Sequence, residues 1–442
     1  MNGHSRGAAV CGLAALAMAP GPALAAGFAI KEQSATAQGN AFAGATAEAA
    51  DISYMFFNPA GLTRHSGNRV SAGLNYIAPQ SEPQGMTGAA VQPGVDPNGG
   101  DDAAVNALAP MLYGMLSLSE DLKLGLGVNA PFGLSTEYDR GWAGRYHALD
   151  SDLTTINVNP TVAYRVRDWL SIGAGLQIQY ADAELSNAVD FGAIGAAQGI
   201  PGAAPGTADG LGEVSGDDIG FGGTLGVLIE PSDTTRIGLS YRSQVAHELE
   251  GDADFSGGGA VRQALAGGGA FTDTSVQADL TTPDQASIGV YQEITPQWAV
   301  MGELQWTDWS DFDSLRIQFD DSTPDSVTEE AWNDTMFVAV GATYRPRDDL
   351  ALRLGVAYDE SPIPDATRTP RIPGSDRTWL SLGAEWTPMS FLTLNAAYTH
   401  IFVKDSTVSL DRSDPGNAAR GDLDGRYENS IDLVSVQATL RF

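Results

Sequence analysis

Four histidines follow the first 25 residues, His65, His147, His247 and His400, and their scatter matches no metal-ligand spacing. His247-Glu248 lacks the second histidine of a zinc hydrolase helix, no Gly-x-Ser-x-Gly elbow occurs, and no glycine loop has phosphate-binding spacing. The one cysteine, Cys11, falls in an N-terminal segment expected to be removed, which excludes cysteine nucleophiles, zinc thiolates and disulfides. The chain is therefore read as no enzyme, with no cofactor and no metal. What remains is binding chemistry. Arg242 and Arg353 fall on the inward faces of expected strands, where a guanidinium can grip a carboxylate through two hydrogen bonds or simply pair across a wet interior. Phe191, Ile194, Ile200, Val261, Leu265 and Phe271 lie in long connections, where apolar side chains either catch an apolar ligand or pack the loops together.

The elements that must position these residues announce themselves by a two-residue period. Between Trp169 and Ala181, Leu170, Ile172, Ala174, Leu176, Ile178 and Tyr180 alternate with Ser171, Gly173, Gly175, Gln177 and Gln179. Such alternation gives a strand one greasy and one wet side. It recurs in paired runs: 70–78; 112–118 and 122–134; 154–166 and 170–185; 221–229 and 237–249; 286–294 and 298–306; 336–344 and 350–358; 378–386 and 392–402; and last 434–442. Tight turns such as Ser119-Glu120-Asp121 and Pro231-Ser232-Asp233 alternate with long connections near 79–109, 135–152, 187–217, 250–283, 313–333, 360–376 and 405–430. The expected fold is all-β: a transmembrane antiparallel β-barrel of about fourteen strands, its long loops at one rim. Trp169, Trp298, Trp306, Trp386 and Tyr398 near strand ends, and a terminal Phe442, favour a membrane wall over a soluble sandwich.

Residues 1–25 have the charged start, apolar run Ala8–Ala19 and small residues Ala23-Leu24-Ala25 of a signal peptide. Losing Arg6 takes the net charge from −31 to −32, which excludes nucleic acid as a partner. Beyond the leader no apolar run reaches the roughly 20 residues of a spanning helix. An export signal followed by barrel-like strands is expected in the Gram-negative outer membrane, as a monomer in contact with lipid; that its other partner is a hydrophobic small molecule is what the resemblance given below implies.

Residues 26–67 do not alternate. An Ala- and Gly-rich stretch, 35–50, leads to Asn58-Pro59-Ala60, a turn with a missing amide donor, and the segment reads as a hatch folded inside the barrel of residues 68–442. Within the third expected strand, Pro131-Phe132-Gly133 should interrupt the ladder, because proline cannot donate to it and glycine weakens it.

Gly27-Phe28-Ala29-Ile30, Asn58-Pro59-Ala60-Gly61-Leu62, Gly141-Trp142-Ala143-Gly144-Arg145-Tyr146, Ser240-Tyr241-Arg242-Ser243, Trp306-Thr307-Asp308-Trp309-Ser310 and Pro370-Arg371-Ile372-Pro373, in that order along the chain, resemble the FadL-type outer-membrane transporters of long-chain fatty acids and other hydrophobic compounds. The resemblance implies a fourteen-stranded barrel plugged by an N-terminal hatch. It also implies passive uptake, with ligand caught by extracellular loops, passed to a pocket near Phe28, and released sideways beside a kinked third strand at Pro131, Phe132 and Gly133. Asn58, Pro59 and Ala60 would tie the hatch to the wall. Uptake of aromatic hydrocarbons by the same fold, or of polar solutes by an open porin, are the alternatives.

Overall fold

The computed structural model describes residues 27–88 and 96–442; the expected leader, with Cys11, lies outside them. One sheet runs through β1 (Arg69–Gly88), β2 (Ala107–Ser117), β3 (Leu122–Asn129), β4 (Gly133–Glu137), β5 (Asp150–Arg167), β6 (Leu170–Asp190), β7 (Asp209–Ser232), β8 (Thr235–Arg242), β9 (Val245–Gly257), β10 (Thr274–Thr282), β11 (Gln285–Thr295) and β12 (Trp298–Thr307). It continues with β13 (Ser314–Phe319), β14 (Ser326–Glu329), β15 (Thr335–Arg347), β16 (Leu350–Asp359), β17 (Arg377–Met389), β18 (Leu392–Val403), β19 (Ser406–Leu410) and β20 (Leu423–Arg441). β3–β4, β8–β9 and β10–β11 are single wall strands interrupted once, and β13, β14 and β19 are additions above the wall. Fourteen antiparallel wall strands result, and β20 pairs back onto β1 from Arg441↔Arg69 to Leu423↔Gly88, closing the barrel.

The lower wall obeys the expected alternation. Val70, Leu74 and Tyr76 on β1 and Leu352, Leu354 and Val356 on β16 are apolar yet exposed, as they must be where lipid is the solvent. Trp169, Trp298, Trp386 and Phe442 are exposed at the end with the short turns.

The upper wall corrects the sequence reading. β7 begins at Asp209 rather than Phe221, β6 runs to Asp190 rather than Leu185, β9 reaches Gly257, and β20 begins at Leu423 rather than Val434. Sizeable parts of the expected connections 187–217, 250–283 and 405–430 are therefore strand, whereas 360–376 holds none. The cause is an inversion of phase. On β9, Leu249, Ala253 and Phe255 are buried inward while Glu248, Glu250, Asp252 and Asp254 face out. Above the bilayer the surroundings are water, so the outer face turns polar and the inner face apolar, although the main-chain ladder continues unchanged. The third expected strand, Leu122–Leu134, is two pieces, with residues 130–132 between them.

Residues 27–68 lie against the inner wall. One helical turn, α1 (Ala35–Gln38), and two 3-10 turns, Ile52–Phe56 and Pro59–Arg64, start with Ser34, Asp51 and Asn58, whose side chains accept from Ala37 N, Ser53 N and Ala60 N. These are N-cap residues doing what their short polar side chains favour, and Pro59 sits where a missing amide costs nothing. Asn58 Nδ2 also donates to Thr46 O at 2.8 Å and to Val227 O at 3.0 Å, tying two parts of the segment to β7.

Candidate functional site

Two cavities, each about 810 Å³ with its open mouth included, are stacked in the barrel. The outer one is walled by the inward apolar residues of the upper strands: Leu134, Leu153, Leu185, Val214, Leu249, Val276 and Leu280, with Leu315 and Ile317 of β13. Its polar end holds Glu330 and Arg371. Glu330 is buried and accepts from Trp332 Nε1 at 3.0 Å. Burial pushes its carboxyl up to about 8, so at neutral pH it keeps its proton. Burial, with Arg420 nearby, brings the Arg371 guanidinium down to about 9, which still leaves it charged at neutral pH.

The inner cavity is more polar. Lys31, Arg242 and Arg377 line it together with Phe56, Phe132, Trp309, Phe337, Asp359 and Trp379. Lys31 Nζ donates to Gln305 Oε1 at 2.8 Å and lies 3.9 Å from the Phe337 ring centre. Arg242 donates to Phe56 O at 2.7 Å and stacks 4.1 Å over that ring. Arg377 Nε has no hydrogen-bond partner among the described residues.

An aromatic partition separates the two. Phe28 meets Trp309 edge-on at 4.8 Å, Phe312 at 5.6 Å and Phe132 at 5.9 Å, and tilts against Trp332 at 5.6 Å. Gly27 delivers it there: φ is +65°, and a Cβ would stand 2.7 Å from the Trp332 ring.

Beside this partition the wall is incomplete. β2 and β3 pair only as far as Leu112↔Val128, so residues 107–111 of β2 pair with β1 alone. The peptide groups that β3 and β4 withdraw from β2 are taken up from inside. Ile30 N donates to Pro131 O at 2.8 Å, Gly133 N to Phe28 O at 2.9 Å, and Gln33 Nε2 to Ala130 O at 2.7 Å. Opening the wall therefore leaves few buried groups orphaned.

Of the residues singled out from sequence, Phe28, Phe132, Pro131 and Arg242 converge on these cavities, and Gly133 on the wall gap. Arg353 lines neither; it donates to Glu385 Oε2 at 2.8 Å beneath Gly39. The loop residues also line neither. Phe191, Leu265 and Phe271, with Ile194, Ile200 and Val261 beside them, pack α2 (Phe191–Ala197) against α3 (Gly259–Gly267), where Phe191 and Phe271 are 5.3 Å apart. Val214, Val276 and Ile317 join that knob to the outer cavity, so it roofs the cavity without facing it. Lys31 and Arg377 went unremarked in the sequence. Inward phase at Trp379 and Ser381 would have flagged Arg377, whereas nothing periodic marks Lys31.

A family model described as outer membrane protein transport protein (OMPP1/FadL/TodX) matches residues 16–442. A putative outer-membrane protein of Neisseria meningitidis is 31% identical over 95% of each chain. The long-chain fatty acid transport protein of Escherichia coli O6:H1 is 30% identical over 87% of this chain and 89% of its own. Among solved structures, a Pseudomonas aeruginosa FadL homologue superposes with a TM-score of 0.86 at 26% identity, covering 94% of this chain and 100% of that one.

Proposed function

The chain belongs to the OMPP1/FadL/TodX family of outer-membrane transport proteins, and from that premise we propose that it takes up long-chain fatty acids, with residues 27–68 serving as a hatch. The route runs from the outer apolar cavity, past Phe28, into the inner cavity, and out through the wall gap beside Pro131. The observation that carries the reading is the pairing of an apolar outer chamber with an inner one lined by Lys31, Arg242 and Arg377, directly behind the aromatic partition at Phe28. An acyl chain finds apolar walls and its carboxylate finds guanidinium and ammonium donors. Lateral release keeps the chain out of water, which would cost about 0.8 kcal/mol per methylene.

Cells deleted for their own long-chain fatty acid transport protein are expected to regain palmitate uptake when they express this chain, while planar bilayers containing it conduct little. Strong conductance together with sugar uptake and no gain in palmitate uptake would replace the reading with a porin. Acceleration of toluene but not of palmitate would move it to hydrocarbons.

The outer cavity adds a pH test. With Glu330 neutral, the charge on Arg371, whose N–H groups donate to Asp150 O, Ser151 Oγ and Ser186 O, attracts a ligand carboxylate; as pH rises through about 8 the Glu330 carboxyl ionises and competes for that charge. Palmitate is expected to bind severalfold more weakly at pH 9 than at pH 7 in the wild type, and to weaken distinctly less in Glu330→Gln, where only the partial loss of charge on Arg371 at pH 9 remains, read by quenching of tryptophan fluorescence. Equal pH dependence in the two proteins would remove Glu330 from the site.

A further inference from the structure

The wall has a second discontinuity. β7 pairs with β8 from Ser232 as far as Thr224↔Arg242, and with β9 from Asp217↔Glu250 upward. Between these points residues 218–223 of β7 face residues 243–249 with no register pairing, and the register shifts by one residue across the interval, from 224 with 242 to 217 with 250. Both flanks are intact. Ile219 to Gly223 stay in ladder with β6, and Val245 to Leu249 with β10. Of these three adjoining strand pairs, only that between β7 and β9 lapses, leaving a seam.

One main-chain bond crosses the seam, from Ser243 N to Gly223 O at 2.8 Å, and side chains hold the rest of it. Gly220 has none, and the His247 imidazole reaches across it, its Nε2 3.0 Å from Gln179 Oε1 on β6 and its Nδ1 3.1 Å from Asp218 Oδ2 on β7. Below, Gln177 Nε2 donates to both Gly223 O and Ser243 O at 3.2 Å, and Ser243 Oγ accepts from Gly223 N at 2.8 Å. A Cβ on Gly220 would stand 2.5 Å from Val245 Cγ1, so only glycine lets the strands lie this close. These are hydrogen bonds of amide, hydroxyl and imidazole groups, one of them to the Asp218 carboxylate. Parting the strands breaks a few of them and sacrifices little of the ladder, because the main chain there is already out of register.

The position of the seam gives it a use. Outside it stand Ile219, Phe221 and Leu225, at 55%, 64% and 59% exposure among the most exposed apolar side chains of the wall. Inside, Leu249 and the stretch 214–216 line the outer cavity. The register pairs Asn129↔Asn157, Asn157↔Gln179 and Gln179↔Gly220 put it level with the Pro131 gap, across β5, β6 and β7. The Pro131 gap lies behind the Phe28 partition, whereas the seam adjoins the chamber in front of it.

We propose that this seam is a second lateral portal, through which a single-chain amphiphile passes between the outer cavity and the surrounding bilayer without crossing the Phe28 partition, with His247 as its latch. The proposal rests on the transport reading above. An Asp218→Cys/His247→Cys protein tests it, since Cys11 in the expected leader is the only native cysteine. Reduced, it lacks the latch; oxidised, its seam is tied by a disulfide. In a background with Pro131 deleted to close the other gap, palmitate uptake by the complemented cells is expected to be at least fivefold faster in the reduced than in the oxidised form, and to recover when reductant is added. Equal uptake in the two forms overturns the portal while leaving fatty acid transport standing; no uptake by the wild-type protein overturns both. Should the cysteine pair not assemble, judged by heat-modifiable gel mobility, His247→Ala in the same background is expected to raise uptake at least twofold, and no rise overturns the portal.

Discussion

Gly355→Leu is expected to raise the conductance of this barrel in planar bilayers by at least tenfold. The lumen is closed by main chain lying directly on main chain, which inward glycines of the wall allow. Gly173 faces Ala60 N, Gly383 faces the Cα of Gly39, Gly341 faces Asn40 O, and a Cβ at those three glycines would stand 2.5, 2.6 and 3.0 Å from those atoms. At Gly355 it would overlap the carbonyl of Asn40 and lie 2.6 Å from Ala41 N. Several of these glycines are cross-strand neighbours, Gly173↔Gly226, Gly238↔Gly289 and Gly341↔Gly355, so they form a collar and not isolated contacts. The segment inside has little shape of its own. Ala41 and Phe42 both hold positive φ, 51° and 60°, which costs about 1–3 kcal/mol each and persists only under outside constraint. A leucine at Gly355 pushes that segment away from β15 and β16 and opens a wet path. Gly302→Leu is the control: its Cβ would point outward with Ala339 O 3.7 Å away, and conductance should not change. Low conductance in Gly355→Leu, with normal folding, would show that something other than this collar closes the lumen.

Deleting Pro131 should lower palmitate uptake at least tenfold without changing conductance. The register shows why a single residue is enough. From Asn129↔Asn157 to Gly133↔Thr154 the third wall strand takes four steps against three on β5, so it carries one residue too many. Removing it lets residues 130–133 lie flat against β5 and turn their amides back toward β2 residues 107–111. The gap closes while the Asn58 turn and the glycine collar remain. Ile30 N loses its acceptor, Pro131 O, a local cost of about 1–3 kcal/mol that the buried segment can absorb. Unchanged uptake would mean that ligand leaves elsewhere, and the seam at His247 would be the place to look.

Much of this was legible in the residues themselves. The period of two settles which side of each lower strand meets lipid, because a strand has only two faces and the bilayer accepts one chemistry. Pro131 and Gly133 advertise a break for reasons confined to their own covalent structure, and Asn58-Pro59 advertises a capped turn in the same way. The ends of the strands were not legible. Glu250, Asp252 and Asp254 read as loop because they are acidic, whereas with Glu248 they are the water-facing side of β9 above the membrane. Local composition reports the solvent outside a strand, and that solvent changes along its length.

The sequence alone determined a closed wall, its lipid face, a plugged interior and one weak point at Pro131, since each follows from bonds and periods within a few residues. Only the tertiary structure decided what the interior does. Phe28 meets Trp309 and Trp332, Lys31 reaches Gln305, and Gly355 accommodates Asn40, contacts between residues about 300 apart in the chain. It also showed that Phe191 and Phe271 spend their apolar surface on each other and that Arg353 is held by Glu385. Closure of the barrel brings such distant residues together, and no local pattern records which of them will meet.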